Sequence, residues 1–185
     1  MPTDLGPTQS ANRRNRDADI SGARHGDPAA LSVLYDEFGA RLYRLAYRVT
    51  GSREDAEDVL QDVFVGLPEA LGRYDERGQF DGWLKRVTLR MALMRLRSSN
   101  RRREVRLDAA ADVPAHDSDA AATADVQGAI DALPARLRLV LVLKELEGYS
   151  HSEVAEALGI TVGASRVRLL RALKVLRRRL GGSRI

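Results

Sequence analysis

Residues 149–180 read YSHSEVAEALGITVGASRVRLLRALKVLRRRL, and they divide into two helices joined by a tight turn. Ser150, with Glu153 three residues on, has the form of a capping box, which starts a helix just ahead of an apolar run. Val154, Ala155 and Leu158 give that helix one apolar face at 3/4 spacing. Gly159 stands where the chain needs a left-handed residue to leave the helix. Ile160 can plug the gap between the helices, and Thr161 can cap the second. There Val162, Leu169, Leu173, Leu176 and Leu180 lie near one stripe, while Arg166, Arg168, Arg171, Lys174 and Arg178 spread over the remaining surface. The small Ala155, with a glycine four residues later, permits the close crossing that a helix-turn-helix requires.

A plain helical hairpin with a solvated basic face would share this spacing. The charge asymmetry separates the two readings. The first helix carries Glu153 and Glu156, the second carries only cations, and no acidic residue follows Glu156. A helix that enters a major groove must neutralise phosphates and offer guanidinium forks to base edges.

Composition bounds the rest. The chain has 185 residues, room for one medium or two small domains. Apolar residues make up 44% and charged residues 30%, a balance that supports a globular core. The absence of cysteine excludes disulfides and thiolate metal sites and fits a reducing, cytoplasmic setting. No apolar run approaches membrane-spanning length, so membrane insertion is not expected. Residues 1–19 are polar, with Arg13, Arg14 and Arg16 but no apolar stretch behind them, which is not a signal peptide. Residues 1–26 are expected to form a disordered tail.

Charge is unevenly placed. Residues 1–103 carry 18 basic and 15 acidic side chains, net +3; residues 104–133 carry 1 and 7, net −6; residues 134–185 carry 11 and 4, net +7. A basic C-terminal module, an acidic connector and a mixed N-terminal module suggest a nucleic-acid binder with a second, different partner.

Along the chain, Asp27-Pro28 is a helix start, with the cap followed by proline at the first helical position. Leu31, Leu34, Tyr35, Phe38, Leu42, Leu45, Ala46 and Val49 hold helical spacing up to Gly51, and Gly39 is a point where the helix could break. Ser52 can cap a helix over residues 53–71 that ends at Gly72, with Val59, Leu60, Val63, Phe64 and Leu67 on its apolar face. Its first turns hold Glu54, Asp55, Glu57, Asp58 and Asp62. The macrodipole favours carboxylates there, but five within nine residues exceed that need and suit a docking surface for a basic partner. A polar loop over residues 73–79 leads to a helix over residues 80–103. Trp83, Leu84, Val87, Met91, Met94 and, at the margin, Leu96 point inward in this reading; Lys85, Arg86, Arg90, Arg95, Arg97 and Arg101–Arg103 point outward. A cationic helix beside a hydrogen-bonding loop, with an aromatic at hand, is a way to hold a splayed single strand. Residues 104–124 lose periodicity and read as a flexible acidic linker. Its ends would lie about 25 Å apart as a coil and about 70 Å apart when extended. Residues 125–133 and 134–147 supply two further helices, the second opened by Pro134 and ended by Gly148.

Catalytic patterns are missing. His25, His116 and His151 are scattered, and the phosphate-binding, dinucleotide-binding and nucleophile-elbow signatures do not occur. Neither a cofactor nor an enzymatic activity is expected.

Four segments in order then resemble one family. They are DAEDVLQDVF (Asp55–Phe64), FDGWLKRV (Phe80–Val87), ALPARLRLVLVL (Ala132–Leu143) and the helix-turn-helix with VGASRVRL (Val162–Leu169). Together the chain resembles an extracytoplasmic-function (ECF) sigma factor of the sigma-70 family, over residues 27–180. The resemblance implies an all-α fold of two small helical domains. Residues 27–103 would be a region 2-like domain, residues 104–124 the linker, and residues 125–182 a region 4-like domain. It also implies roles. Asp55, Asp58, Leu60, Gln61 and Asp62 would bind core RNA polymerase at the clamp helices of the β′ subunit, with the second domain near the β flap. Gln79, Asp81, Lys85, Arg86 and Arg90 would handle the melted −10 strand of promoter DNA. Ser165, Arg166, Arg168, Arg171 and Lys174 would contact the −35 element, with Ser165, which stands where an apolar residue is frequent in the family, open to either packing or contact. The linker would thread through the polymerase, and an anti-sigma factor is an implied further partner. Arg90 and Met94 stand where the family usually carries Asn and Asp. A regulator with the same helix-turn-helix but no polymerase role would not need the acidic helix, and a sigma-like decoy would lack the basic run.

Overall fold

The computed structural model describes residues 7–75, 79–107 and 124–181, and these are helical and loop segments with no strand among them. They form two compact units. One comprises residues 1–46 and 52–92, the other residues 47–51 and 93–185.

The first unit is built from helices α1 (Pro7–Arg24), α2 (Pro28–Thr50), α3 (Arg53–Leu71) and the start of α4 (Phe80–Leu107). Helix α1 replaces most of the expected disordered tail. Its last two turns bury Ile20 and Ala23, it packs on α3, Arg16 pairs with Glu37, and Arg24 Nη2 donates to the Tyr74 carbonyl at 3.2 Å. Two apolar positions are too few to show a period in the sequence, and a helix so polar is held by tertiary contacts. One contact is unusually close: a Cβ on Gly22 would lie 2.8 Å from the Cβ of Ala30 on α2. Only glycine lets α1 approach α2 there.

Asp27 Oδ1 accepts from the Ala29 amide at 3.0 Å, so the expected cap opens α2. The helix runs unbroken through Gly39. Ser52 Oγ accepts from the Asp55 amide at 3.3 Å and starts α3. Leu34, Phe38, Leu42, Leu45, Val59, Val63, Leu67, Leu71 and Leu84 are fully or almost fully buried. Phe38, Tyr74, Phe80 and Trp83 extend this core as an aromatic cluster. Phe38 meets Phe80 edge-on at 5.3 Å, and Trp83 lies 4.7 Å from Tyr74 and 5.8 Å from Phe80 between centroids. Tyr35 shares the helical spacing of Leu34, Phe38, Leu42 and Leu45 but not their burial. It is half-exposed and rests edge-on against Phe64 at 5.0 Å.

On α4 the inward stripe is also shifted. Met94 is exposed, whereas Leu89, Ala92 and Leu93 are buried. Thr88 is fully buried, and its Oγ1 donates to the Leu84 carbonyl at 2.9 Å, which removes the cost of hiding a hydroxyl. The helix continues to Leu107, so residues 104–107 of the expected linker are helical, and residues 108–123 lie outside the described residues.

The second unit contains α5 (Ala124–Asp131), α6 (Ala135–Leu141), α7 (His151–Leu158) and α8 (Val162–Gly181). Pro134 precedes α6 as its cap residue. A π-helical turn over Val142–Leu146 continues α6, with the Glu147 amide bonded to the Val142 carbonyl at 3.0 Å. Both halves of the capping box form: the Glu153 amide donates to Ser150 Oγ at 3.2 Å, and the Ser150 amide to Glu153 Oε2 at 2.8 Å. Gly159 takes φ 65°, ψ 40°, and the Ile160 amide closes back on the Ala155 carbonyl at 2.9 Å, the expected left-handed exit. Thr161 Oγ1 accepts from the Ala164 amide at 3.1 Å, opening α8. Helix α8 packs against α5, α6 and α7. The core there is Ile130, Leu133, Leu137, Val140, Leu141, Val142, Leu143, Val154, Ala155, Leu169, Ala172 and Leu176.

Candidate nucleic-acid interface

Packing on three helices leaves α8 with one free face. Ser165, Leu169, Ala172 and Leu176 are buried, while Gly163, Arg166, Val167, Leu170, Arg171, Lys174, Arg177 and Arg178 are exposed. These positions repeat at 3/4 spacing and so form one stripe along the helix; Val162 and Arg179, exposed near its two ends, lie off it. Arg166, Arg171 and Lys174, three of the expected −35 contacts, lie on this stripe together. Arg168 does not: it is half-buried at the edge of the packed side.

Ser165 takes the packing role of the two open to it. Its side chain is fully buried, and its Oγ lies 2.9 Å from His151 Nδ1 at the start of α7. It therefore joins the two helices of the motif, on the side of α8 away from solvent. Val162 is also displaced from its expected stripe and is exposed. At the first turn of α8 the Thr161 cap starts the helix.

In the first unit, Gln79, Arg86 and Arg90 are exposed and Lys85 is half-buried. Trp83, Arg86 and Arg90 stand three and four residues apart, on one side of α4. Trp83 itself stacks within the aromatic cluster. Asp81 Oδ1 pairs with Arg41 Nη2 at 2.8 Å, and the Arg41 guanidinium lies 5.2 Å from the Phe38 ring centroid. Arg41 carried no signal in the sequence beyond a charge on α2, because its partner is forty positions away. Residues 76–78 of the expected −10 loop lie outside the described residues.

The acidic side of α3 is exposed at Glu54, Glu57, Gln61 and Asp62 and half-buried at Asp55 and Asp58. Leu60 is nearly buried, yet it reaches the floor of an apolar groove of about 590 Å³ between α2 and α3. Leu31, Tyr35, Phe64, Val65 and Pro68 line that groove, and Glu57 and Gln61 stand at it. Tyr35 and Val65 were not legible as site residues, since Tyr35 shares the apolar spacing of α2 and Val65 stands off the apolar face of α3.

No cluster of potential metal ligands occurs among the described residues, and no helix there is long and apolar enough to cross a membrane. The sigma-70 region 2 family matches residues 34–102 and the sigma-70 region 4 family matches residues 123–176. The chain is 30% identical to the ECF RNA polymerase sigma factor SigM of Mycobacterium tuberculosis, over 89% of this chain and 85% of that protein.

The chain belongs to the sigma-70 family, as an ECF sigma factor.

It is also 36% identical to the ECF RNA polymerase sigma factor SigE of Mycolicibacterium smegmatis over 82% of this chain, and spans 63% of that relative's length. Among solved structures it resembles CnrH in complex with the cytosolic domain of CnrY, with TM-score 0.55 and 28% identity over 90% of this chain and 97% of that one. In this sigma factor region 2 takes in most of α2, α3 and most of α4, whereas region 4 covers α5 to the greater part of α8. Helix α1 precedes the region 2 match.

Proposed function

We propose that this sigma factor binds core RNA polymerase through Asp55, Asp58, Leu60, Gln61 and Asp62 on α3. Gln79, Asp81, Lys85, Arg86 and Arg90 then hold the opened −10 strand, and Arg166, Arg171 and Lys174 on α8 meet the −35 element in the major groove. The observation that carries the reading is the free face of α8: a stripe of cations with no acidic residue, on the second helix of a capped helix-turn-helix. Such a face neutralises phosphates and presents donors to base edges. The acidic side of α3 and its groove suit a partner that is basic and apolar at once.

The protein has no catalytic step of its own in this reading and works in the cytoplasm, where polymerase and promoter are. CnrH is found in complex with the cytosolic domain of CnrY; a protein partner, an anti-sigma factor, is proposed for this chain also.

The test is a gel shift with promoter DNA, core polymerase and this protein, combined singly and together. A promoter complex requiring all three components is the expected result. Sequence-specific binding by the protein alone, unchanged by core polymerase, would make it an ordinary DNA-binding regulator.

A further inference from the structure

Cations alone do not account for the free face of α8. Leu170 is 68% exposed and Val167 is 46% exposed, and both lie inside the basic stripe. At 3.6 residues per turn, Gly163, Leu170 and Lys174 fall within about 40° of one another around the helix. Leu170 is therefore at the centre of the stripe. Arg166 and Arg177 lie on one flank, and Val167, Arg171 and Arg178 on the other. A face built only to hold phosphate gains nothing from an uncovered leucine at its middle. A single exposed apolar residue is ordinary on a protein surface, but here two adjoin, one turn apart, ringed by guanidinium groups.

The charge around them selects the occupant. A surface this cationic favours a polyanion, and the polyanion proposed for α8 presents one apolar group in its major groove, the C5-methyl of thymine. Phosphates lie at the rim of the groove, where Arg171, Arg177 and Arg178 flank the stripe; base edges lie at its floor, opposite the centre. Resting on the reading of α8 as the −35 helix, we infer that Leu170, with Val167 beside it, contacts thymine methyl groups and sets a preference for thymine at one or two −35 positions. Leu170 is a specificity residue that contributes no charge. Arg171, Arg177 and Arg178 supply affinity and register, and the apolar centre rejects bases that lack the methyl group.

The experiment uses holoenzyme reconstituted with core polymerase. A promoter library randomised across the −35 element yields the preferred sequence, and each thymine in it is then replaced singly by deoxyuridine, which removes the methyl group and preserves pairing. For wild-type protein at least one replacement is expected to weaken binding about fourfold, the worth of one methyl-sized group removed from water. Leu170→Ala is expected to bind the thymine and uracil promoters alike, with an unchanged salt dependence because no phosphate contact is lost. Leu170→Met, which keeps an apolar tip, is expected to restore the discrimination. Unaltered thermal unfolding of the exposed-site variants separates this result from misfolding. A selected element without thymine, or wild-type binding indifferent to every uracil, overturns the inference and leaves the sigma-factor reading standing. Retention of the full uracil penalty by Leu170→Ala also overturns it, and assigns the apolar centre to a protein partner. Failure of wild-type holoenzyme to bind any promoter would instead fall on the function proposed above.

Discussion

His151 Nδ1 and Ser165 Oγ stand 2.9 Å apart, so the first residue of α7 and the first turns of α8 are pinned to each other. The serine is fully enclosed, and the bond satisfies a hydroxyl that would otherwise be costly to bury. The angle at which α8 leaves the turn thus depends on this polar strut together with the Gly159 exit and the Thr161 cap.

Replacing Ser165 should therefore change stability and leave sequence preference alone. Ser165→Ala is expected to cost about 1 kcal/mol, the usual net worth of one hydrogen bond. Ser165→Leu should cost roughly 1–3 kcal/mol, because a closed site must be forced open. Thermal unfolding measures both. A −35 selection with Ser165→Ala should return the wild-type sequence; a changed preference would mean that Ser165 reaches DNA.

The cations of α8 should fail in distinguishable ways. Arg166 lies on the exposed stripe near the helix start, where a recognition helix meets base edges. If it reads a guanine, Arg166→Ala costs about 1–3 kcal/mol and relaxes one −35 position. Arg177→Ala, nearer the far end, should weaken binding to all sequences alike and lower the salt slope by about 1. Half-buried Arg168 should behave like neither. Holoenzyme binding to −35 variants at two salt concentrations tests the three together, and equal, sequence-independent losses at Arg166 and Arg177 would make both phosphate clamps.

Charge reversal on α3 tests polymerase docking. Asp58→Lys with Asp62→Lys should weaken retention of core polymerase in a pull-down while helicity stays unchanged. The carboxylates exceed what the helix dipole uses, and complementary charge at a rim acts mainly on association. Undiminished retention would remove this side of α3 from the interface.

Arg86→Ala and Arg90→Ala should impair opening of the −10 region more than formation of the closed complex. Both side chains are exposed on one side of α4, as a grip on single-stranded phosphate requires. Permanganate reactivity of unpaired thymines reports opening, and a gel shift on ice reports the closed complex. Equal losses in the two would count against a role in melting.

The same substitution should have opposite signs at two helical glycines. Gly22→Ala drives a Cβ to 2.8 Å from that of Ala30 and should destabilise the first unit by about 1–3 kcal/mol. A Cβ at Gly66 meets nothing within 4 Å, so Gly66→Ala should stabilise it by about 1 kcal/mol. Denaturant unfolding of the two variants is the measurement. A stabilised Gly22→Ala would show that α1 can draw back from α2 at no cost.

Local signals were sufficient for much of this protein. Ser52 and Asp27 cap where their hydrogen-bonding chemistry places them, the Ser150–Glu153 box closes in both directions, and Gly159 takes the left-handed conformation. Each depends on residues no more than a few positions apart, so the sequence alone determines it, and four motif segments in order, from Asp55–Phe64 to Val162–Leu169, were enough to point to the family. What the sequence could not determine is which side of a helix a neighbour covers. Helix α1 exists through contacts to Glu37, Tyr74 and α3, Met94 faces out and Leu93 in, and Arg41 finds Asp81 across the fold. On α8, periodicity spread the arginines over a broad surface; packing against α5, α6 and α7 enclosed Ser165, drew Arg168 aside, and left Leu170 uncovered at the middle. Capping is a short-range hydrogen-bond problem solved within one turn, whereas exposure is a property of the partners that remote parts of the chain bring to each face.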